Sequence, residues 1–206
     1  HAWSAPARTG AANPEPRPLR VAPAAAAPLA CRCAAPERFG ERLVLAGTPD
    51  PVALGNALHA CLAASFTDPD APLGTDEIAA ILDGHALAGA VGPAAVAQRI
   101  AALHAWLARR WPGWRAHAEW PVEQRLADGQ VLHGRIDLLL EGPDGWVLID
   151  HKAHAGAAEA WPALAAGHAG QLAAYAAAVE RASGRPVVEC WLHFPVAGGA
   201  IRLDFA

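Results

Sequence analysis

Residues 131–152 carry the sequence VLHGRIDLLLEGPDGWVLIDHK, and this stretch decides the fold. Its two apolar runs, Val131–Glu141 and Trp146–Asp150, are separated by Gly142-Pro143-Asp144-Gly145, which is a typical hairpin turn sequence. The pattern predicts two antiparallel neighbouring strands. Side chains at the same end of the two strands can therefore converge on one cation.

Lys152, directly after this hairpin, is the only lysine in the chain, whereas 15 arginines supply the other basic charges. A composition rich in Ala, Gly, Pro and Arg uses arginine wherever a positive charge is sufficient. A lysine ammonium is a compact charge whose pKa can shift, while a guanidinium is a planar group that stays protonated. The retained lysine therefore indicates a position where the ammonium itself matters. In the pattern Asp-x-Lys, Asp150 and Lys152 face the same side of the sheet.

The rest of the chain predicts helices on both sides of this hairpin in sequence. Apolar residues at helical spacing, with capping signals, predict three helices before it: Asp50 to Phe66, Thr75 to Ala90, and Pro93 to the break at Trp111-Pro112-Gly113. Strands are expected at Trp114–Leu126, Val187–Phe194 and Ala200–Phe205, and a fourth helix at about His168–Ser183. This order predicts an α/β fold with a mixed sheet flanked by helices.

The start of the chain differs in composition from the remainder. Residues 1–36 are rich in Pro, Ala and Arg without apolar periodicity, which predicts a linker, tether or extended strap before a folded domain at 37–206. At 206 residues the chain is long enough for one sizeable core. It does not begin with methionine, and we expect it to be part of a longer polypeptide.

Charge and cysteine usage limit the class of protein. The formal net charge of −4 argues against a domain that coats nucleic acid through charge alone, but allows a nuclease site with acidic metal ligands. The four cysteines show no CxxC spacing and no secretory segment begins the chain, which predicts reduced thiols and a cytoplasmic location. No run of about 20 strongly apolar residues predicts a membrane span.

Asp137, in the run Gly134-Arg135-Ile136-Asp137, is expected to lie beside Asp150 at one end of the hairpin. Two carboxylates around a hard divalent ion form the pattern that Mg²⁺ prefers. Lys152 beside them can orient an attacking water or neutralise charge on a phosphate. Taken alone, Asp150 and Lys152 could equally be an exposed polar pair at a strand end.

Four further residues have both a functional and a structural interpretation. His59, in Gly55-x-x-x-His59, could complete a metal shell or be an ordinary core or surface imidazole. Glu119, in Glu119-x-Pro at the start of the first long strand, could be a catalytic acid or a solvated strand residue. Gln171 and Tyr175 share one helix face at i and i+4, and could form a polar site or a core tyrosine with an amide at its rim.

In chain order these motifs are Gly-x-x-x-His, Glu-x-Pro, Gly-x-Ile-Asp, Asp-x-Lys and Gln-x-x-x-Tyr. The series resembles the RecB-like branch of the PD-(D/E)xK nucleases over about residues 50–195. Nuclease domains of this family lie at the C-termini of RecB and AddA helicase-nucleases, in AddB, and in CRISPR adaptation nucleases. The resemblance implies a restriction-endonuclease-like fold, with residues 67–112 as a helical insertion.

The resemblance also implies roles for individual residues. The implied metal ligands are His59, Asp137, Asp150 and the backbone carbonyl of His151. The implied catalytic residues are Lys152, Asp150, Asp137 and Glu119, the last as a metal ligand directly or through water. Gln171 and Tyr175 would support the site or contact the DNA backbone as substrate-binding residues.

The implied activity is that of a Mg²⁺-dependent deoxyribonuclease of the exonuclease type, with Mn²⁺ able to substitute. The implied partners are DNA, a superfamily 1 helicase motor of the AddA or UvrD type in the same polypeptide, and a second subunit similar to AddB or RecC. The implied process is double-strand break repair and recombination. Relatives with an iron–sulfur cluster carry three cysteines after the nuclease motifs; here only Cys190 follows them, so no cluster is expected.

Two other functions stay open from the sequence. The first is a nuclease fold without activity, serving as a DNA-binding or structural module of a helicase; a missing carboxylate or lysine would mark it, and none is missing. The second is an unrelated α/β hydrolase of small phosphate esters, which predicts a closed pocket rather than an open groove.

Overall fold

The computed structural model describes residues 20–26, 29–68 and 71–205. Within them a single mixed sheet contains eight strands: β1 (Arg20–Val21), β2 (Cys31–Cys33), β3 (Glu37–Arg38), β4 (Arg115–Arg125), β5 (Val131–Gly142), β6 (Gly145–His151), β7 (Val187–Phe194) and β8 (Gly199–Phe205). The helices of this part of the chain are α1 (Pro51–Ala64), α2 (Thr75–Gly84), α3 (Pro93–Arg110) and α4 (Trp161–Ser183). The predicted α/β fold with a mixed central sheet is confirmed.

The hairpin of β5 and β6 lies near the middle of this sheet. Leu138 pairs with Ile149 and Gly142 with Gly145, so the predicted antiparallel pairing is present. On its other side β6 runs parallel to β7, and a parallel pair requires a long crossover connection, here provided by α4. The adjacent strand β8 pairs antiparallel with β7, as expected from the sequence.

Helices cover both faces of the sheet, because the strand β6 carries apolar side chains on both of its faces. Its residues alternate between two apolar clusters, as the two-residue period of a strand requires. Val147 and Ile149 pack in the cluster with α1, α2 and α3, whereas Leu148 packs in the cluster with α4. All three side chains are fully buried. The Asp150-x-Lys152 motif therefore lies at the end of a strand that is enclosed on both faces.

Two helix boundaries differ from the predicted ones by more than two residues. The second helix ends at Gly84 instead of Ala90, because Ala86 adopts a left-handed backbone with φ of 58° that cannot continue the helix. The fourth helix begins at Trp161 instead of His168. Pro162 occupies its first turn, where the missing N–H costs nothing, and the Ala-rich sequence that follows lacks the apolar spacing that would have marked it.

The Pro-rich start, where the structure describes it, lies along the sheet as an extended strap. Arg20–Val21 pairs parallel with β5, and Cys31–Cys33 pairs antiparallel with β8. Residues 1–19 and 27–28 of the predicted linker are outside the described residues. Among the helices that the structure describes, none combines the length and apolar character needed to cross a membrane.

Candidate metal centre

A cleft of about 850 Å³ opens between α1, the first turns of α4 and the strands β4 to β6. The predicted site residues that line it come from four different elements or their ends: His59, Glu119, Asp137, His151 and Lys152. The other three, Asp150, Gln171 and Tyr175, lie directly behind these residues. The structure therefore gathers residues up to 93 positions apart, from His59 to Lys152, at one cleft.

His59, Glu119 and Asp137 form a group that could hold a metal ion, since one ligand atom of each lies within 4.8 Å of the others. His59 Nδ1 is 3.4 Å from Asp137 Oδ1, and His59 Nε2 is 2.9 Å from the carbonyl oxygen of His151. The backbone N–H of His151 donates to Asp137 Oδ2 over 2.6 Å. The His151 carbonyl, which the resemblance implies as a metal ligand, thus lies beside the group of His59, Glu119 and Asp137.

Glu119 reaches this group through an unusual backbone conformation. Its φ is 53°, in the left-handed region, which typically costs a non-glycine residue about 1–3 kcal/mol. The neighbouring residues Ala118 and Trp120 keep their pairing with β5, so Glu119 alone departs from the strand, opposite Asp137. Arg135 holds the carboxylate at 3.0 Å. The expectation that Glu119 opens the strand was wrong, because it lies in the middle of β4.

Asp150 lies at the same end of the hairpin as Asp137 but points toward α4. Its Oδ2 is 2.5 Å from Lys152 Nζ, and its Oδ1 accepts from Gln171 Nε2 over 3.4 Å. The carboxylate is almost completely buried, and that burial, together with the charge of Asp137, raises its pKa to about 6 against the opposing effect of Lys152. Asp150 therefore stands next to the His59–Glu119–Asp137 group rather than inside it.

The electrostatics of His59 and Asp137 favour a bound cation. Burial lowers the pKa of His59, but the hydrogen bond and charge of Asp137 outweigh it and raise the pKa overall. Burial likewise opposes ionisation of Asp137, yet the hydrogen bond and positive charge supplied by His59 hold its pKa below the usual range. A carboxylate and an imidazole that stabilise each other's charge in this way occupy positions where a metal ion can replace the proton.

His193 is a site residue that the sequence analysis missed. Its Nδ1 lies 3.1 Å from Nδ1 of His151, and both rings are buried beneath the cleft. Burial lowers the pKa of His151 to about 4 and the pKa of His193 well below its usual value, so both are neutral. The carbonyl of His193 also accepts from the N–H of Lys152 over 2.8 Å. Its place depends on the parallel register of β6 and β7, which no local sequence signal reveals.

The two motif residues of α4 are engaged inside the protein. Gln171 contacts Asp150, as described above, and Tyr175 binds the backbone of Arg135 through its hydroxyl group. Gly134 makes this possible, since a Cβ there would lie 2.7 Å from the Tyr175 hydroxyl oxygen. The glycine of Gly-x-Ile-Asp and the tyrosine of Gln-x-x-x-Tyr are thus in direct contact.

The donor set fits a hard divalent cation. Carboxylate and carbonyl oxygens are the ligands that Mg²⁺ and Mn²⁺ prefer, and imidazole also serves transition metals. Asp150 Oδ2, behind this group, is buried and is paired with the Lys152 ammonium over 2.5 Å.

A family model described as the PD-(D/E)XK nuclease superfamily matches residues 29–204, a range that contains every motif residue named above. The chain belongs to this superfamily. The restriction-endonuclease-like fold and the resemblance to its RecB-like branch are thereby confirmed, and an unrelated α/β hydrolase is excluded. Nucleases of this superfamily usually use a divalent metal, for which the group of His59, Glu119 and Asp137 is a possible site.

One curated relative of this nuclease-superfamily chain is an ATP-dependent helicase/nuclease subunit from Desulforudis audaxviator (strain MP104C). The two sequences are 31% identical over 169 residues, which cover 73% of this chain and 14% of the relative. The chain thus corresponds to a small part of that much longer protein.

Proposed function

We propose that this chain is a metal-dependent deoxyribonuclease domain of the exonuclease type, part of a helicase-nuclease that acts in double-strand break repair and recombination. The observation that carries the proposal is the cleft in which His59, Glu119 and Asp137 meet beside the only lysine of the chain. The helicase partner, and a second subunit of the AddB or RecC kind, are proposed by analogy with the helicase/nuclease relative. A cytoplasmic location follows from the same assignment.

Mg²⁺ is the proposed cofactor, with Mn²⁺ as a substitute, held by His59, Asp137, Asp150 and the carbonyl of His151. Glu119 would join them directly or through water. When bound, the metal would supply a Lewis acid for a phosphate oxygen and lower the pKa of a coordinated water.

The remaining residues position the reacting groups. Lys152, whose ammonium is held by Asp150, is placed to orient the attacking water or to neutralise charge on the phosphate. Gln171 fixes the Asp150 carboxylate from behind. Tyr175 fixes the segment of β5 that ends in Asp137. We assign to these two residues a supporting role in catalysis.

Digestion of end-labelled linear DNA, single-stranded and double-stranded, with Mg²⁺ or Mn²⁺ tests the activity. Lys152→Ala should slow cleavage about 10²- to 10³-fold, the usual loss for one well-placed stabilising group. Lys152→Arg should be similarly slow if the ammonium itself is required. Arg125→Ala, at the far end of β4, controls for loss of a positive charge. Cleavage at the normal rate by Lys152→Ala would disprove the assignment.

Calorimetry with Mn²⁺ tests the metal site separately. Asp137→Ala should abolish binding, whereas Asp144→Ala, in the exposed turn between β5 and β6, should leave it unchanged. Binding of Mn²⁺ without cleavage of any DNA would favour the alternative of a silent DNA-binding or structural module. Equal Mn²⁺ affinity of the Asp137→Ala variant and the native chain would place the metal elsewhere.

A further inference from the structure

One face of α4 runs from the mouth of the cleft to the residues behind it. Leu164, His168, Gln171 and Tyr175 are spaced at i, i+4, i+7 and i+11, so they share this face. Gln171 and Tyr175, at the inner end, are bound to Asp150 and to the backbone of Arg135. His168 and Leu164, one and two turns earlier, line the cleft. The residues of this face that are free to meet a ligand are therefore Leu164 and His168.

The cations of the cleft are already paired. In the described part of the chain, Arg135 and Lys152 are the arginine and lysine side chains that line it. Arg135 binds Glu119 at 3.0 Å and Lys152 binds Asp150 at 2.5 Å. The proposed function assigns Lys152 to the reacting phosphate, and Arg135 is held by Glu119. Other phosphates of a strand in the cleft thus meet no unpaired arginine or lysine among the described residues that line it, and neutral donors can supply their contacts.

We propose that His168 binds a phosphate oxygen of the DNA strand in the cleft as a neutral hydrogen-bond donor, with Leu164 against the adjoining sugar or base. This contact rests on the proposed function and names a substrate-binding residue for it. His154 also lines the cleft, but its Nε2 is buried against Gly156, so this atom is not accessible to a ligand.

The chemistry of the imidazole suits this role. A neutral imidazole has one N–H donor and one acceptor nitrogen. Gln171, one turn further along α4, lies beside His168, and its amide has both a donor and an acceptor group that can pair with the nitrogen that the phosphate does not use. Burial and the nearby charge of Lys152 hold the pKa of His168 below its usual value, which keeps the ring neutral.

The salt dependence of DNA binding distinguishes a neutral donor from a charge. The affinity of the native chain for a fluorescently labelled single-stranded oligonucleotide is measured by anisotropy, in EDTA so that no cleavage occurs, over a range of NaCl concentrations. His168→Ala should raise Kd about 3- to 10-fold, as expected for one hydrogen bond, without changing the salt slope. His168→Arg should steepen the slope of log K against log salt by about 0.7.

His133→Ala, an exposed histidine on β5 outside the cleft, is the matched control and should bind like the native chain. The contact would be overturned if His168→Ala bound the oligonucleotide with native affinity. It would also be overturned if His168→Ala and His133→Ala weakened DNA binding equally. Failure of the native chain to bind the oligonucleotide would overturn both the contact and the DNA substrate. Binding that depends on His168, together with no cleavage of end-labelled DNA by the native chain, would keep the contact and remove the nuclease activity.

Discussion

The hydroxyl of Tyr175 binds both backbone groups of Arg135, donating to its carbonyl oxygen over 2.7 Å and accepting from its N–H over 3.1 Å. Along this edge of β5, β1 pairs as far as Leu132 and β6 begins to pair at Leu138. Tyr175 therefore takes the place of a neighbouring strand in the gap between them. Because Asp137 follows two residues later, the tyrosine of α4 fixes the segment that presents a carboxylate of the proposed metal site.

Tyr175→Phe should destabilise the protein and slow cleavage. The change removes both hydrogen bonds and leaves two backbone groups of Arg135 unpaired, which costs about 1–3 kcal/mol. Thermal unfolding should show a decrease in Tm of about 2–4 °C for each kcal/mol. A variant with native Tm and native cleavage rate would show that the hydroxyl has no role in holding β5.

Gly134→Ala tests the contact between the two motifs. The added Cβ would lie 2.7 Å from the Tyr175 hydroxyl oxygen and 2.8 Å from Pro23 Cγ, and such overpacking costs about 1–3 kcal/mol. The double variant Gly134→Ala, Tyr175→Phe should lose less unfolding free energy than the sum of the losses in the two single variants, since both changes affect the same oxygen.

The control for this substitution is Gly167→Ala in α4, where a Cβ would meet open space. This variant should be stabilised by up to about 1 kcal/mol, because alanine favours a helix interior more than glycine does. Strict additivity of Gly134→Ala and Tyr175→Phe in denaturant unfolding would contradict a direct contact.

Glu119→Gly and Glu119→Ala separate the backbone of this residue from its carboxylate. Both remove the acidic group and should slow cleavage and weaken Mn²⁺ binding. Glycine adopts a φ of 53° without strain, whereas alanine does not, so the glycine variant should be more stable by about 1 kcal/mol. Urea unfolding of the two variants measures this difference. A more stable alanine variant would show that the left-handed backbone is not maintained in solution.

His104 should make the stability of the protein depend on pH. Burial lowers its pKa below the ordinary value of 6.5, so the folded protein binds this proton less readily than the unfolded chain. The stability that the neutral ring contributes to the folded protein is therefore fully present above about pH 6.5. It is lost as the pH falls through the lower pKa of the ring in the folded state.

His104→Gln can retain a hydrogen bond to Ser65, which the native ring contacts through Nε2 at 3.0 Å, but cannot take up the proton. The variant should gain stability relative to the native chain as the medium is acidified, as measured by Tm against pH. His133→Gln controls for removal of an exposed histidine. A constant difference in Tm at every pH would contradict the role of His104.

Several features of the site could be predicted because they depend on nearby residues in the sequence. The turn at Pro143 and Asp144 sets the register of β5 and β6, and this register alone places Asp137 next to Asp150. The two-residue period of a strand places Asp150 and Lys152 on one side, where their ion pair forms. The Asp50 cap and the apolar spacing after Pro51 gave the start of α1 and with it the helix that carries His59.

Other features depend on the packing of segments that are distant in the sequence, and only the tertiary structure decided them. The parallel register of β6 and β7 places His193 under His151, and the crossing of α4 brings Tyr175 to β5 and leaves His168 in the cleft. The left-handed backbone of Glu119 could not be predicted from the sequence, because such strain persists only where the surrounding structure enforces it. The sequence by itself determined the strands, the motif order and the pair of aspartates, since a hairpin and a helix are specified by local spacing. The orientation of each functional side chain was decided by long-range packing, which local spacing does not encode.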